Sequence, residues 1–198
     1  MRKLSRHFVF TSLLWIAVLI STGALTTPGR KLELPFGPIK RLASPDGSRV
    51  LYGAGTSSSG RPTELWLEDS RSGQRQKILD VARTLSAGWS PDGSFFFVQD
   101  DLGSNITEAY LYEAANLKRL DIAQSISAFD PAAKRFAAGH AYFNVRRWLD
   151  GQHLLIVLSG HTDSPPVECF DLRYRVGRDC TVAKLSQLVA SIDDPACN

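Results

Sequence analysis

The sequence contains few cysteines, and all of them lie near its end. Cys169, Cys180 and Cys197 are the three cysteines in 198 residues, too few for the disulfide framework that replaces a core in small secreted domains. Hydrophobic residues make up 43% of the chain and charged residues 22%. This composition excludes collagen-like, coiled-coil and wholly disordered classes. The length suits one domain rather than two.

The sequence also lacks an excess of basic residues outside its first segment. The formal net charge is +3, but Arg2, Lys3 and Arg6 lie in a segment without acidic residues, and the remaining 20 Lys and Arg balance 20 Asp and Glu. Runs of five or more Lys and Arg are missing as well. Because nucleic-acid binding needs a basic face, we expect no nucleic-acid partner.

Residues 1–26 have the order of an export signal. The basic residues precede 13 mostly apolar residues, Phe8–Ile20, and Ser21–Ala24 supplies the small side chains of a signal-peptidase site. The alternative is an uncleaved membrane anchor through residues 8–25, which is just long enough to span a bilayer. Either way the remaining chain lies outside the cytoplasm, because the basic residues hold the N-terminus inside. We therefore predict a periplasmic, extracellular or membrane-anchored protein.

An exported chain meets an oxidising compartment, where a pair of its cysteines forms a disulfide. Cys169 and Cys180 flank a predicted hairpin and are the favoured pair. The alternative is Cys180 with Cys197, which would fasten the C-terminal tail to the sheet. Cys-x-x-Cys is missing, so the sequence does not predict a catalytic cysteine.

Residues 27–38 contain three prolines and two glycines, which predicts a linker before a domain over residues 39–198. Within that domain, short apolar runs alternate with Gly, Pro, Asp and Ser clusters, the pattern of a mostly β structure. The predicted strands are Arg49–Tyr52, Thr63–Glu68, Gln76–Leu79, Phe95–Val98, Glu108–Tyr112, Lys118–Ile122, Arg135–Ala138, Phe143–Trp148, Leu154–Leu158, Glu168–Val176 and Cys180–Leu185.

Helical periodicity is nearly missing from the sequence. The exception is the tail, where apolar residues recur at i, i+3, i+4 and i+7. These residues are Leu185, Leu188, Val189 and Ile192. The spacing predicts a short C-terminal helix that ends before Asp193.

A turn sequence recurs along the chain. It reads Ser-Pro-Asp-Gly at residues 44–47 and 90–93, and a shorter form follows Trp148. Proline fixes φ at the first central turn position, the Asp side chain accepts a backbone hydrogen bond, and glycine supplies a positive φ. The predicted turn residues are Pro45, Asp46, Gly47, Pro91, Asp92, Gly93, Asp150 and Gly151.

These repeats resemble the propeller repeats of the TolB-like and WD-repeat-like families. The resemblance implies an all-β fold of antiparallel, four-stranded, blade-like sheets. Because blades need about 40–45 residues each and a closed propeller typically has at least four, the propeller would be small or incomplete. The resemblance also implies binding of protein or cell-envelope partners. A homodimer is another way to cover open sheet edges.

Motifs for catalysis or cofactor binding are missing from the sequence. We find no Gly-x-Ser-x-Gly elbow, no glycine loop leading into a helix and no His-Glu-x-x-His. We therefore predict a protein without enzymatic activity, metal or cofactor. A hydrolase or metal-binding protein is the alternative, and it would use His140, His153, His161 and Asp163 if the fold brings them within about 5 Å of one another.

One loop is a candidate partner surface. It follows a strongly apolar strand and contains two prolines, and stiff loops on a rigid scaffold suit recognition. The loop residues are His161, Thr162, Asp163, Ser164, Pro165 and Pro166.

Overall fold

The computed structural model describes residues 31–37, 39–137, 139–191 and 193–194. The leader and Cys197 lie outside these ranges, so export and cleavage stay predictions. Among the described residues, no helix is long and apolar enough to span a bilayer. The elements are β1 (Leu32–Leu34), β2 (Arg41–Ala43), β3 (Arg49–Ala54), β4 (Glu64–Asp69), β5 (Arg75–Asp80), β6 (Thr84–Trp89), β7 (Phe95–Asp101), β8 (Ile106–Glu113), β9 (Arg119–Asp121), α1 (Ile122–Phe129), α2 (Pro131–Phe136), β10 (His140–Trp148), β11 (His153–His161), β12 (Glu168–Gly177) and β13 (Val182–Ser191).

The strands form two sheets. The smaller sheet is antiparallel and has the order β2-β3-β4-β5, as expected for one blade. The larger has nine strands in the order β1-β6-β7-β8-β10-β11-β12-β13, with β9 also paired to β8. Its pairs are antiparallel except for a short parallel contact between β8 and β10. The mostly β class is confirmed. Neither sheet closes into a ring within the described residues, so a propeller stays a prediction.

Strand burial explains which strands the sequence predicts well. Leu154–Leu158 is an unbroken apolar run in β11, between β10 and β12 in the sheet. In β12, Leu172 and Tyr174 are buried while Arg173 and Arg175 are exposed, so one face points to solvent. Strands β2 and β6 were not predicted.

The two helices are a correction to the predicted fold. They lie between β9 and β10, so a strand over Arg135–Ala138 is wrong. Asp121 and Asp130 cap the two helices through their side chains, and Pro131 occupies the first turn of α2. These residues favour helix starts. The helices bury Ile126 and Phe136 in one core with β7, β8 and β10–β12.

The predicted C-terminal helix is also wrong. Residues Val182–Ser191 form β13, which pairs with β12 from one end to the other with a register shift at Leu185. Leu185 and Leu188, two of the four residues that suggested the helix, are exposed in this strand. Their spacing therefore does not mark a buried helical face.

The predicted linker contains a strand. Leu32 and Leu34 of β1 are buried and pair with Ala87 and Leu85 of β6. The leucines pack in a second core, shared by β6–β8 and the smaller sheet. Alternation of two leucines across one polar residue is the strand signal that the prolines of residues 27–38 obscured.

The repeated turns have the predicted geometry. Gly47 and Gly93 have φ values of 70° and 73°. Oδ1 of Asp92 accepts a hydrogen bond from the backbone N of Ser94 at 3.2 Å, and Asp46 makes the same bond in the first repeat. The third turn differs, because Asp150 accepts from two backbone N–H groups while Gly151 is outside the positive-φ glycines.

The predicted Cys169–Cys180 disulfide is wrong. Cys169 is disulfide-bonded, whereas Cys180 is a free thiol. Cys169 lies near the start of β12, and Cys180 lies in the turn beyond its end. A strand of this length separates them by more than about 20 Å, and a disulfide needs Cα atoms within about 7 Å. The third cysteine lies outside the described residues.

Candidate functional site

Three of the four residues named for a metal or hydrolase site come together. Nδ1 of His140 lies 2.7 Å from Oδ1 of Asp163, and Nδ1 of His161 lies 3.9 Å from the same oxygen. The two imidazole rings stack with centroids 4.3 Å apart. One candidate ligand atom from each residue lies within 4.8 Å of the others.

The sheet register produces this cluster. His140 begins β10 and His161 ends β11, and the two are cross-strand partners. Gly160 has a φ of 150°, and a Cβ on it would lie 1.7 Å from the carbonyl oxygen of His140. Only glycine therefore allows the two strands to approach this closely next to the histidines.

His153 does not join the cluster. It begins β11, at the opposite end from His161. Its Nδ1 lies 2.9 Å from Oδ2 of Asp150, in the turn between β10 and β11. Within the described part of the chain, two His–Asp pairs are hydrogen-bonded, and the pair of His140 and Asp163 is the one with a second imidazole beside it.

The predicted partner loop connects β11 and β12 next to this cluster. Its base is closed by the backbone N of Thr162, which donates to the carbonyl of Glu168 at 2.9 Å. Thr162 Oγ1 accepts from the backbone N of Glu168 at 2.9 Å and donates to the carbonyl of Pro166. Asp163, Ser164, Pro165 and Pro166 are exposed, and the Pro165–Pro166 peptide is cis. Among the described contacts, Asp163 and not Ser164 reaches the histidines.

A polar cleft, which the sequence did not indicate, lies between β1, β6, β7 and β10. It has a volume of about 540 Å³. Lys31 Nζ donates to the carbonyl of Val145 at 2.8 Å, and Gln99 Oε1 accepts from the backbone N of Val145 at 2.9 Å. Burial lowers the pKa of Lys31. Thr84 and Thr107 both donate to Asp101. These hydrogen bonds join neighbouring parts of the sheet, so the polar side chains that line the cleft have a structural role.

A carboxylate pair lies on the neighbouring strands. Asp100 of β7 is buried and is the cross-strand partner of Glu108 of β8. Burial, with the charges of Asp101 and Glu108, raises the pKa of Asp100 to about 6. Burial likewise raises the pKa of Glu108, to which the hydroxyl of Tyr110 donates. Oδ1 of Asp100 has no hydrogen-bond partner among the described residues.

Among the described strands, β13 lies at one end of the larger sheet. Five consecutive residues, 184–188, are exposed. The register shift at Leu185 interrupts the alternation of side chains, but residues 186–188 alternate between the two faces and are all exposed, so neither face is covered there. Leu185 and Leu188 are 52% and 42% exposed. Val182 and Val189, on either side, pack partly against the helix-containing core. The two ends of β13 therefore pack against the core, while residues 184–188 between them are exposed.

Comparisons with known proteins give only distant similarities. No protein-family model and no curated protein match the chain. TolB from Acinetobacter baumannii is 17% identical with a TM-score of 0.40, over 75% of this chain and 32% of its own. The acylaminoacyl peptidase of Pyrococcus horikoshii is 11% identical with a TM-score of 0.41, over 72% of this chain and 23% of its own. The chain thus spans about a third of the first protein and a quarter of the second, and neither similarity bears on its activity.

Proposed function

We propose that this protein is an exported, non-enzymatic binding module whose β13 edge takes up an extended segment of a cell-envelope protein. The observation that carries the proposal is the open stretch of β13. An edge strand offers backbone N–H and C=O groups to a further strand, and side chains at its surface add selectivity. Export rests on the order of residues in the leader.

The exposed leucines support this assignment. Natural edge strands are commonly protected by charges, prolines or β-bulges, and β13 has one such irregularity, a register shift at Leu185 opposite Arg173 and Tyr174. Residues 184–188 contain one charged residue, Lys184, and no proline. Lys184 forms an ion pair with Asp130, since its Nζ lies 2.6 Å from Oδ2 of that residue. Leu185 and Leu188 therefore lack a neighbouring free charge within the stretch that would discourage strand addition.

A segment of another protein suits this edge better than a second copy of the chain. A stable protein interface buries about 800 Å² per partner, which five residues of one strand cannot supply alone. The stretch also mixes its two leucines with Ser186 and Gln187, whereas obligate homodimer interfaces are more apolar. Strand addition needs no such area, because backbone hydrogen bonds contribute to affinity.

Binding rather than catalysis also agrees with the chemistry of the His140 cluster. It contains groups that can move a proton, but nucleophilic catalysis needs an activated nucleophile in hydrogen-bond reach of such a base. The described contacts of the His140 and His161 imidazoles are with each other, Asp163 and Thr162. The contact with Thr162 is made by its carbonyl oxygen.

The proposal is tested by photo-crosslinking followed by a binding titration. A photoreactive amino acid is placed at Leu188 in cells of the source organism, and at Leu149 as a control, since Leu149 is exposed in a different turn. We expect a discrete adduct with another protein from position 188 only. A peptide covering the crosslinked segment then binds the purified protein at least tenfold more weakly after Leu188→Lys, with less than a twofold change after Leu149→Lys.

Two results would overturn the proposal. Adducts of equal yield from both positions would show that β13 is not a selective surface. An adduct from position 188 with twice the mass of the chain would show that a second copy occupies the edge.

A further inference from the structure

The cluster of His140, His161 and Asp163 has the composition of a transition-metal site. Imidazole nitrogens and a carboxylate oxygen are the ligands of many open zinc sites, whereas calcium and magnesium prefer oxygen alone. Two ligands that are each about 2.0–2.1 Å from a zinc ion in tetrahedral geometry lie about 3.3 Å from each other. The cluster already holds one candidate ligand atom from each residue within 4.8 Å of the others, and the two imidazoles rotate out of their stacked arrangement to converge on one ion.

The backbone holds two of these residues in place without a metal. His140 and His161 are fixed by their cross-strand register, and the closed base of the loop at Thr162 and Glu168 fixes the chain next to Asp163. The side chains themselves remain open to solvent, with exposures of 35%, 42% and 54% for His140, His161 and Asp163. A metal ion can therefore enter from solvent and keep water at its remaining positions.

Cys169 is the cross-strand partner of His161 on the next strand. A thiolate there would be a further ligand, but Cys169 is disulfide-bonded, and the thiolate is the form that binds metals. The site consists of two imidazoles and one carboxylate.

We infer that His140, His161 and Asp163 bind one divalent transition-metal ion of the zinc type, independently of any partner on β13. A hydrogen-bonded His–Asp pair alone does not indicate a metal site. The pair of His153 and Asp150 provides the comparison within the same chain, with an Nδ1–Oδ2 distance of 2.9 Å. The difference at the proposed site is the second imidazole, stacked on the first.

The experiment is a zinc titration of the protein purified as the cell produces it and stripped with a chelator, in competition with a chromophoric chelator. We expect one zinc ion per chain. His140→Ala and His161→Ala should each weaken zinc binding at least tenfold. His153→Ala is the matched control, because it removes the same side chain from the other end of β11, and it should change the affinity less than twofold.

Folding is checked without metal by circular dichroism and thermal melting. Should either histidine variant fail to fold, Asp163→Ala in the exposed loop serves instead and should also weaken binding at least tenfold. Two results would overturn the inference: no saturable binding of one equivalent of zinc, or equal weakening by His153→Ala and the cluster variants.

Discussion

At the residue scale, Gly93 occupies the positive-φ position in the second copy of the Ser-Pro-Asp-Gly turn. Its φ is 73°, and a Cβ on it would lie 3.2 Å from Cδ of Pro45 in the neighbouring repeat. We expect Gly93→Val to lower the free energy of unfolding by about 1–3 kcal/mol, because a β-branched residue is strained at positive φ. Gly151→Val is the control, since Gly151 has open space around it and should cost less. Urea unfolding measures both, and equal losses would contradict this explanation of the turn.

Asp100 makes the stability of the protein depend on pH. Its pKa of about 6 lies above its ordinary value of 3.8, so between these values the folded state keeps a proton that the unfolded state releases. The free energy of unfolding therefore falls as the pH rises from about 4 to about 6, and the loss persists above that range. The neighbouring charges of Asp101 and Glu108 act in the same direction.

Replacement of the Asp100 carboxylate by an amide should remove this pH-dependent fall in the free energy of unfolding. We expect Asp100→Asn to be about 1–2 kcal/mol more stable than the wild-type protein at pH 7.5 and equally stable at pH 4. Asp179→Asn is the control, because hydrogen bonds from Thr181 lower the pKa of Asp179, and it should give no gain at pH 7.5. A gain for Asp100→Asn that is the same at both pH values would show that its charge is not the cause.

At the element scale, Trp89 links the two sheets. It ends β6 of the larger sheet, and its Nε1 donates to the carbonyl of Leu42 in β2 at 2.9 Å. We expect Trp89→Phe to lower the free energy of unfolding by about 1–2 kcal/mol, since it leaves a buried carbonyl without its donor. Trp66→Phe is the control, because Trp66 donates to Glu64 in its own strand at a part-buried site. Chemical denaturation should show the larger loss for Trp89, and equal losses would indicate that the sheets are held by packing alone.

The elements that the sequence predicts well are those whose burial is decided locally. Strand β11 is predicted well because Leu154–Leu158 is an unbroken apolar run, which is typical of a strand with side chains buried on both faces, and four of these five residues are buried. The helices were missed because Asp130 and Pro131 are compatible with both a turn and a helix start, and packing of Ile126 and Phe136 decides between them. In β13, pairing with β12 overrides the helical spacing of the leucines.

At the scale of the whole molecule, the candidate sites depend on contacts between distant parts of the chain. His140 and Asp163 are 23 residues apart, and the register of β10 and β11 brings them together, which residue types alone do not specify. The sequence named the cluster residues but also included His153, because nothing local shows that it lies at the other end of β11. The cleft beside Lys31 and the open edge at β13 have no sequence signal, since both arise from the order of strands in the sheet.

The openness of β13 is the central claim, and amide hydrogen exchange of the purified protein tests it most directly. Residues 184–188 should contain amides that exchange at least a hundredfold faster than those of residues 154–158 in β11, since an edge strand leaves some amides open to water. Backbone protection of 184–188 equal to that of 154–158, in dilute protein without a partner, would show that the edge is already covered and would contradict the proposed binding surface.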